Sequence, residues 1–327
     1  MYKAFYKLQK NPFEITPDPN FLFFTKKHNE ALAALYYGVK RRKGFVVLTG
    51  EVGTGKTLLV RCLLGLLSRA NVAYAYVFNP CLSPMEFLQY IAGDFGLPTA
   101  GKSKSELLLE LCSFVIGRHK KGLATVLVVD EAHHVAADVL EEVRLLTNLE
   151  TLEEKLLQIL LVGQPELDEK LDSRNLRQLK QRIALRSRLG CLDLAETRGY
   201  IYRRLQIAGS SNPAQLFPMD TILELHRQSR GLPRLVNTLC ENALIHGYAR
   251  QLEAIPPVVI EEIAKDFRLN IEHVPAGSSE NRAPSDEVAQ AARTLLDLYT
   301  YLRTAQQAKS DVPVTIGAGA REHEPYI

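Results

Sequence analysis

Residues 50 to 57 read Gly50-Glu51-Val52-Gly53-Thr54-Gly55-Lys56-Thr57, the pattern G-x-x-x-x-G-K-[ST]. Glycines in such a turn let the backbone approach an anion closely, and the turn's N–H groups point inward at it. A helix starting at Leu58 adds the positive end of its dipole. Lys56 then reaches the β- and γ-phosphates of a nucleoside triphosphate, and the Thr57 hydroxyl is placed on Mg²⁺. Gly50 through Leu58 thus form a candidate phosphate cradle. Since the same residues would also cap an ordinary helix, the flanks decide. Phe45-Val46-Val47-Leu48 is an apolar run of strand type, and a helical run continues to Leu67. Strand, turn and helix start are the context the motif needs.

A second group completes the chemistry. Val126-Leu127-Val128-Val129 ends in Asp130-Glu131. A carboxylate at the tip of a buried strand beside the phosphate loop holds Mg²⁺ through its waters, so Thr57 and Asp130 are the candidate metal residues. Glu131 is placed to polarise a water for in-line attack. His133 and His134 read as surface or helix-start residues, because two adjacent histidines without further ligands make a poor metal site. Gln164 either orients the attacking water or starts the turn before Pro165. Asn79 either restrains Glu131 or is a turn residue before Pro80. Arg182, Arg186 and Arg188 stand just before the last expected strand. An arginine offered to a neighbouring subunit's γ-phosphate is worth about 10³–10⁵ in rate. Arg182 and Arg188 are preferred to Arg186 for that part, with a solvated basic helix face, or a nucleic-acid patch if it continues across Arg174, Arg177, Arg203 and Arg204, as the alternatives. Arg234, in Gly231-Leu232-Pro233-Arg234, either swings onto the phosphates or serves the helix it opens.

These residues need a frame. Apolar runs at Phe45–Thr49, Val72–Phe78, Thr125–Val129, Leu156–Val162 and Leu189–Leu192 alternate with helical patterns. Unalternating apolar runs suit strands buried on both faces of a parallel sheet. Helices are expected after Ser83-Pro84, where Glu86 completes a capping box, over Lys104–His119 and over Asp138–Leu149. After Asp193 only helices follow, at 196–208, 218–229, 233–250 and 257–268. The expected organisation is a leader (1–43), an α/β nucleotide-binding domain (44–194) and an all-helical lid (195–270). A linker (271–285), an amphipathic helix (286–308) with Val288, Ala292, Leu295, Tyr299 and Leu302 on one stripe, and a disordered tail (309–327) complete it.

Composition bounds the partners. The chain has 327 residues, 46% apolar and 24% charged, with a net charge of +3. That charge is too slight to argue for nucleic acid by itself, although Lys40-Arg41-Arg42-Lys43 and Arg118-His119-Lys120-Lys121 are locally basic. Cys62, Cys81, Cys112, Cys191 and Cys240 are scattered and odd in number, as in a reducing compartment. No secretory h-region or uncharged 18-residue apolar stretch is evident, so a cytoplasmic protein without an integral membrane segment is expected.

Together the motifs resemble those of the AAA+ ATPases of the general secretion pathway protein A (ExeA-like) type, over about residues 1–268. The likeness includes Asn11-Pro12-Phe13, Thr16-Pro17-Asp18-Pro19, His28, Glu30-Ala31-Leu32, Leu145 to Glu150, Gly163 to Leu167, Gln181-Arg182-Ile183 and Gly231 to Arg234. The resemblance implies a P-loop α/β fold with a parallel five-stranded sheet in the order 5-1-4-3-2, followed by a helical lid. It implies ATP and Mg²⁺ as ligands, Gln164 and Arg234 as sensors, and Phe13 near the adenine base. It further implies a homo-oligomer, a ring or a filament, serving a membrane-associated secretion, pilus or exopolysaccharide-export apparatus from the cytoplasm or peripherally at the inner membrane. Secretion-type members often add a membrane span and a peptidoglycan-binding module. Neither is read here, so a cell-wall role is not carried over. The same core resembles ATP-dependent target-choosing subunits of transposition, which keeps a DNA-binding adaptor as the less favoured alternative.

Overall fold

A computed structural model describes residues 1–14, 21, 23–68, 70–78 and 81–269. The expected linker, last helix and tail lie outside the described residues, as does Asn79. Five strands form one parallel sheet: β1 (Phe45–Gly50), β2 (Ala73–Val77), β3 (Thr125–Val129), β4 (Leu157–Gly163) and β5 (Leu185–Leu189), in the order β2-β3-β4-β1-β5. Read from the other edge, this is the order 5-1-4-3-2. Every residue of β1, β3 and β4 is buried, which is why those strands read as continuous apolar runs.

The fifth strand is a correction. It occupies Leu185–Leu189 instead of Leu189–Leu192, so Arg186 and Arg188 lie within it. An edge strand with one wet face alternates, here Leu185, Ser187 and Leu189 on one side and the arginines on the other. Its signal has period two, not an apolar run.

Among the described residues the helices are α1 (Tyr2–Phe5), α2 (Lys26–Lys40), α3 (Lys56–Ser68), α4 (Pro84–Asp94), α5 (Lys104–Lys120), α6 (Ala137–Leu146), α7 (Glu166–Leu171), α8 (Arg177–Lys180), α9 (Leu194–Ile207), α10 (Pro213–Leu216), α11 (Met219–Ser229), α12 (Pro233–Ala249) and α13 (Pro257–Asp266). Capping boxes start α4 at Ser83/Glu86, α5 at Ser103/Glu106 and α9 at Asp193/Glu196. Each satisfies otherwise orphaned N–H groups at the helix start.

Three apolar cores result. One packs α4, α5 and α6 on one face of the sheet, and a second packs α2 and α3 on the other. The third fills the α9–α13 cluster and takes in Tyr2, Leu8, Phe13 and Phe21 from the N-terminal segment. Helix α2 is absent from the sequence reading. Its stripe of Ala31, Leu32, Leu35 and Val39 is buried against β1 and β5.

Sheet order positions the chemistry. In a parallel sheet all strand C-termini lie on one edge. Register places Thr49 of β1 beside Gly163 of β4, and Val129 of β3 beside Leu161 of β4. The residues after these strands are the glycine turn, Gln164 and the Asp130-Glu131 pair. Gln164 therefore emerges between the other two.

Candidate functional site

Between β1 and α3 the chain turns through Gly53 at φ +80° and Gly55 at φ +96°, the left-handed region that glycine enters without steric cost. Lys56 folds back over this turn, donating from Nζ to the carbonyls of Gly50 at 2.7 Å and Glu51 at 3.0 Å. Its side chain is buried. Burial pushes the ammonium below its ordinary range, while Glu131, Asp130, Glu51 and Glu166 act in the opposite direction.

Asp130 gathers three donors. The Thr57 hydroxyl donates to Oδ2 at 3.2 Å, the Tyr76 hydroxyl to the same oxygen at 2.6 Å, and the Glu131 backbone N–H to Oδ1 at 2.9 Å. The Tyr76 phenol is held well above its usual titration range, by burial first and then by Asp130. It stays a proton donor. The Thr57 hydroxyl and the Asp130 carboxylate are hard oxygen donors in contact, the set that Mg²⁺ accepts.

Glu131 follows in a left-handed conformation, φ +49°. Its Oε2 lies 3.4 Å from Nδ1 of His133. On the ring's other side, Nε2 of His133 meets the Gln164 side-chain nitrogen at 2.9 Å. His133 is thus no surface residue: its side chain is 7% exposed. Burial is the largest cause that lowers its pKa, followed by His134, so the ring is neutral near neutral pH.

A cavity of about 410 Å³ opens above the turn. Val52 to Leu59 form its floor, Glu131 and Gln164 one wall, and Pro233, Arg234 and Asn237 of the α12 end another. Its far end is aromatic and basic, with Phe21, Phe23, Tyr200 and Arg204. Arg204 stacks 4.7 Å from the Phe21 ring centre and donates to the Pro12 carbonyl and the Tyr200 hydroxyl. His28 joins leader and loop. Its Nε2 lies 3.0 Å from the Thr54 carbonyl and Nδ1 lies 2.8 Å from the Thr25 hydroxyl. A carbonyl only accepts, so Nε2 carries the proton. Burial pushes this imidazole down.

The structure therefore brings together Gly53, Thr54, Gly55, Lys56, Thr57, Leu58, Glu131, Gln164 and Arg234 around one cavity, with Asp130 on Thr57 and Gly50 and Glu51 behind Lys56. It does not bring Phe13 there. Phe13 is fully buried in the third core, edge-on to Phe217, because its neighbours offer an apolar socket; Phe21 and Phe23 stand at the cavity instead. Arg182 donates to the Thr147 hydroxyl at 2.6 Å and, like Arg188, is not among the cavity-lining residues. Arg186 pairs with Asp168 at 3.2 Å, and Asp168 also accepts from the Thr49 hydroxyl. Tyr76, Tyr200 and Asn237 are not legible in the sequence, and Arg204, there a candidate member of a basic patch, lines the cavity. They converge from separate elements, and no short spacing links them.

Comparisons with known proteins bear on the family and the fold. A family model described as an AAA domain matches residues 39–171. General secretion pathway protein A of Aeromonas hydrophila is 45% identical over 251 residues, 76% of this chain and 45% of that protein. The chain thus spans less than half the length of that relative. The ATP-dependent target DNA activator B of Escherichia phage Mu is 32% identical over 104 residues, 32% of this chain and 31% of that protein. Among solved structures, the Aeropyrum pernix ORC2 protein in ADPNP–ADP complexes superposes with a TM-score of 0.58 at 18% identity, covering 79% of this chain and 72% of that one. Cdc6p of Pyrobaculum aerophilum gives 0.59 at 17%, covering 78% and 70%. Drosophila ORC bound to DNA gives 0.60 at 16%, covering 82% and 66%. At such identities the likeness concerns the fold alone.

Proposed function

Because the chain belongs to the AAA+ P-loop ATPases, as a homologue of general secretion pathway protein A, we propose that it binds and hydrolyses Mg²⁺–ATP in the cavity above residues 50–58. The observation that carries this reading is the convergence of Lys56, Thr57–Asp130, Glu131 and Gln164 from three strand ends on one cavity. When bound, Mg²⁺ neutralises phosphate charge; Thr57 and Asp130 would hold it. Lys56 exchanges its two loop carbonyls for phosphate oxygens, a stronger charge-assisted pairing. Glu131 takes the proton of the attacking water, which the Gln164 amide orients. The α9–α13 cluster acts as a lid, with Arg234 over the phosphates and Phe21, Phe23, Tyr200 and Arg204 facing the base and ribose.

In this reading the protein is a homo-oligomer. Arg182 or Arg188 reaches the neighbour's γ-phosphate, since neither lines the cavity of its own chain. Identity to general secretion pathway protein A supports service to a secretion, pilus or polysaccharide-export apparatus. The work would be done from the cytoplasm or peripherally at the inner membrane. Among the described residues no helix is long and apolar enough to cross a membrane.

Glu131→Gln should bind nucleotide normally, hydrolyse it about 10²–10⁴-fold more slowly and accumulate as oligomer, while Lys56→Ala should lose nucleotide binding. Normal turnover by Glu131→Gln would refute the base assignment.

One observation favours a second reading, an ATP-switched DNA-binding adaptor. Arg42 contacts His119, which joins the basic runs 40–43 and 118–121 on one surface. Glu154 offsets it, pairing with Arg42 at 2.9 Å. Duplex binding that requires ATP and falls steeply with salt would support the adaptor; no binding at low salt removes it.

A further inference from the structure

We propose that His133 is a positioning residue that couples Glu131 to Gln164, so that the water-orienting amide and the base act as one unit. The inference rests on the reading of Glu131 as the base. Three observations carry it. Glu131 Oε2 is a buried carboxylate oxygen without a hydrogen bond among the described residues, and Nδ1 of His133 lies 3.4 Å from it. The same ring meets the Gln164 side chain through Nε2 at 2.9 Å. The turn that carries the ring, Ala132–His134, is clamped from α7, where the Lys170 ammonium donates to the carbonyls of His133 and Val135.

The donor pattern gives the ring two neutral states. Two nitrogens share a hydrogen bond only if one is unprotonated, so a Gln164 NH₂ donating to Nε2 requires the ring proton on Nδ1. That proton lies beside Glu131 Oε2, which is 3.4 Å from Nδ1, and attracts the carboxylate without a formed hydrogen bond. The Gln164 backbone N–H also reaches Nδ1, at 3.4 Å. With the proton on Nε2, the ring accepts this N–H, the Gln164 side-chain oxygen accepts from Nε2, and Glu131 is released with the amide NH₂ free for the cavity. The two states differ by one proton moved within the ring and one amide turned, with no change of charge. Engagement of Gln164 by a water in the cavity therefore selects the state in which Glu131 is free to act.

Steady-state hydrolysis and nucleotide titration of His133→Ala, His133→Asn and Gln164→Ala test this. His133→Ala should lower kcat about 10- to 100-fold, the scale seen for residues that orient a reacting group, with KM and nucleotide affinity within about twofold. His133→Asn, whose NH₂ can stand in for Nδ1–H, should recover part of the loss. The double variant His133→Ala/Gln164→Ala should be no slower than the slower single variant. Unchanged kcat in His133→Ala, or losses that multiply in the double variant, would overturn the coupling. Should His133→Ala fail to fold, the same judgement falls on His133→Asn, whose kcat must then drop with KM unchanged. If Glu131→Gln hydrolyses normally, the base reading fails first. If Glu131→Gln is inactive and His133→Ala is normal, only the coupling fails.

Discussion

Gly53→Ala is a substitution whose cost can be worked from geometry. Gly53 sits at φ +80°, its carbonyl accepts from the Arg234 backbone N–H at 3.3 Å, and an added Cβ would lie 2.5 Å from the Arg234 Cβ. Holding alanine in that backbone region costs about 1–2 kcal/mol. Two carbons rest at about 3.5–4.0 Å, so the start of α12 must retreat by about 1 Å and its hydrogen bond fails, a further 0.5–1.5 kcal/mol or so. The total, about 1.5–3.5 kcal/mol, lowers Tm by about 2–6 °C for a chain of this size. Gly55→Ala is the internal control. At φ +96°, with His28 Nε2 at 3.4 Å the one neighbour among the described residues, it carries the backbone cost of about 1–2 kcal/mol alone. Calorimetry without nucleotide on a cycle with Arg234→Gly isolates the contact, since that variant removes the Cβ and keeps the N–H. Alanine at 53 should then cost only its backbone part. An equal cost in both backgrounds would refute the claim that the phosphate loop and α12 are packed on each other.

Two more expectations follow from the same coordinates. Gly231 has φ +70°, and a Cβ there would lie 2.0 Å from the Leu192 carbonyl oxygen. Backbone strain of about 1–2 kcal/mol plus overpacking of about 1–3 kcal/mol should make Gly231→Ala far more destabilising than Gly96→Ala. Gly96 has φ +77° with nothing within 4 Å among the described residues, and equal urea midpoints for the two variants would contradict this. For His28 the lowered pKa sets the sign of a pH effect. Below about 6.5 the unfolded imidazole takes a proton that the folded one resists. Its contribution to stability is therefore complete above that pH and is lost as pH falls toward the depressed folded value. His28→Gln should show a shallower decline of Tm between pH 7.5 and 5 than the parent protein; an identical slope would show that the buried imidazole titrates normally.

β1, β3 and β4 were legible because burial on both faces writes an uninterrupted apolar run. β5 was displaced by four residues because its exposed face carries Arg186 and Arg188. α2 went unread although its apolar stripe is regular. The phosphate loop was legible as eight consecutive residues in which Gly50, Gly55, Lys56 and Thr57 are the types that the anion and its metal demand. His133 does stand in a short helical turn, but its burial against Gln164 was illegible because its neighbours in sequence, Ala132 and His134, say nothing of a residue thirty-one positions later.

The amino-acid order alone determined the local chemistry: a glycine turn between strand and helix, a paired acid at a strand tip, and capping boxes that start helices. Each depends on contacts within a few residues, where spacing dictates geometry. Only the tertiary structure decided which side chains meet. It set Tyr76 on Asp130, His133 between Glu131 and Gln164, and Phe21 and Phe23 at the cavity while Phe13 entered the helical core. Those meetings depend on strand order and on how three apolar cores close, and burial is a property of the whole packed chain that no short stretch encodes.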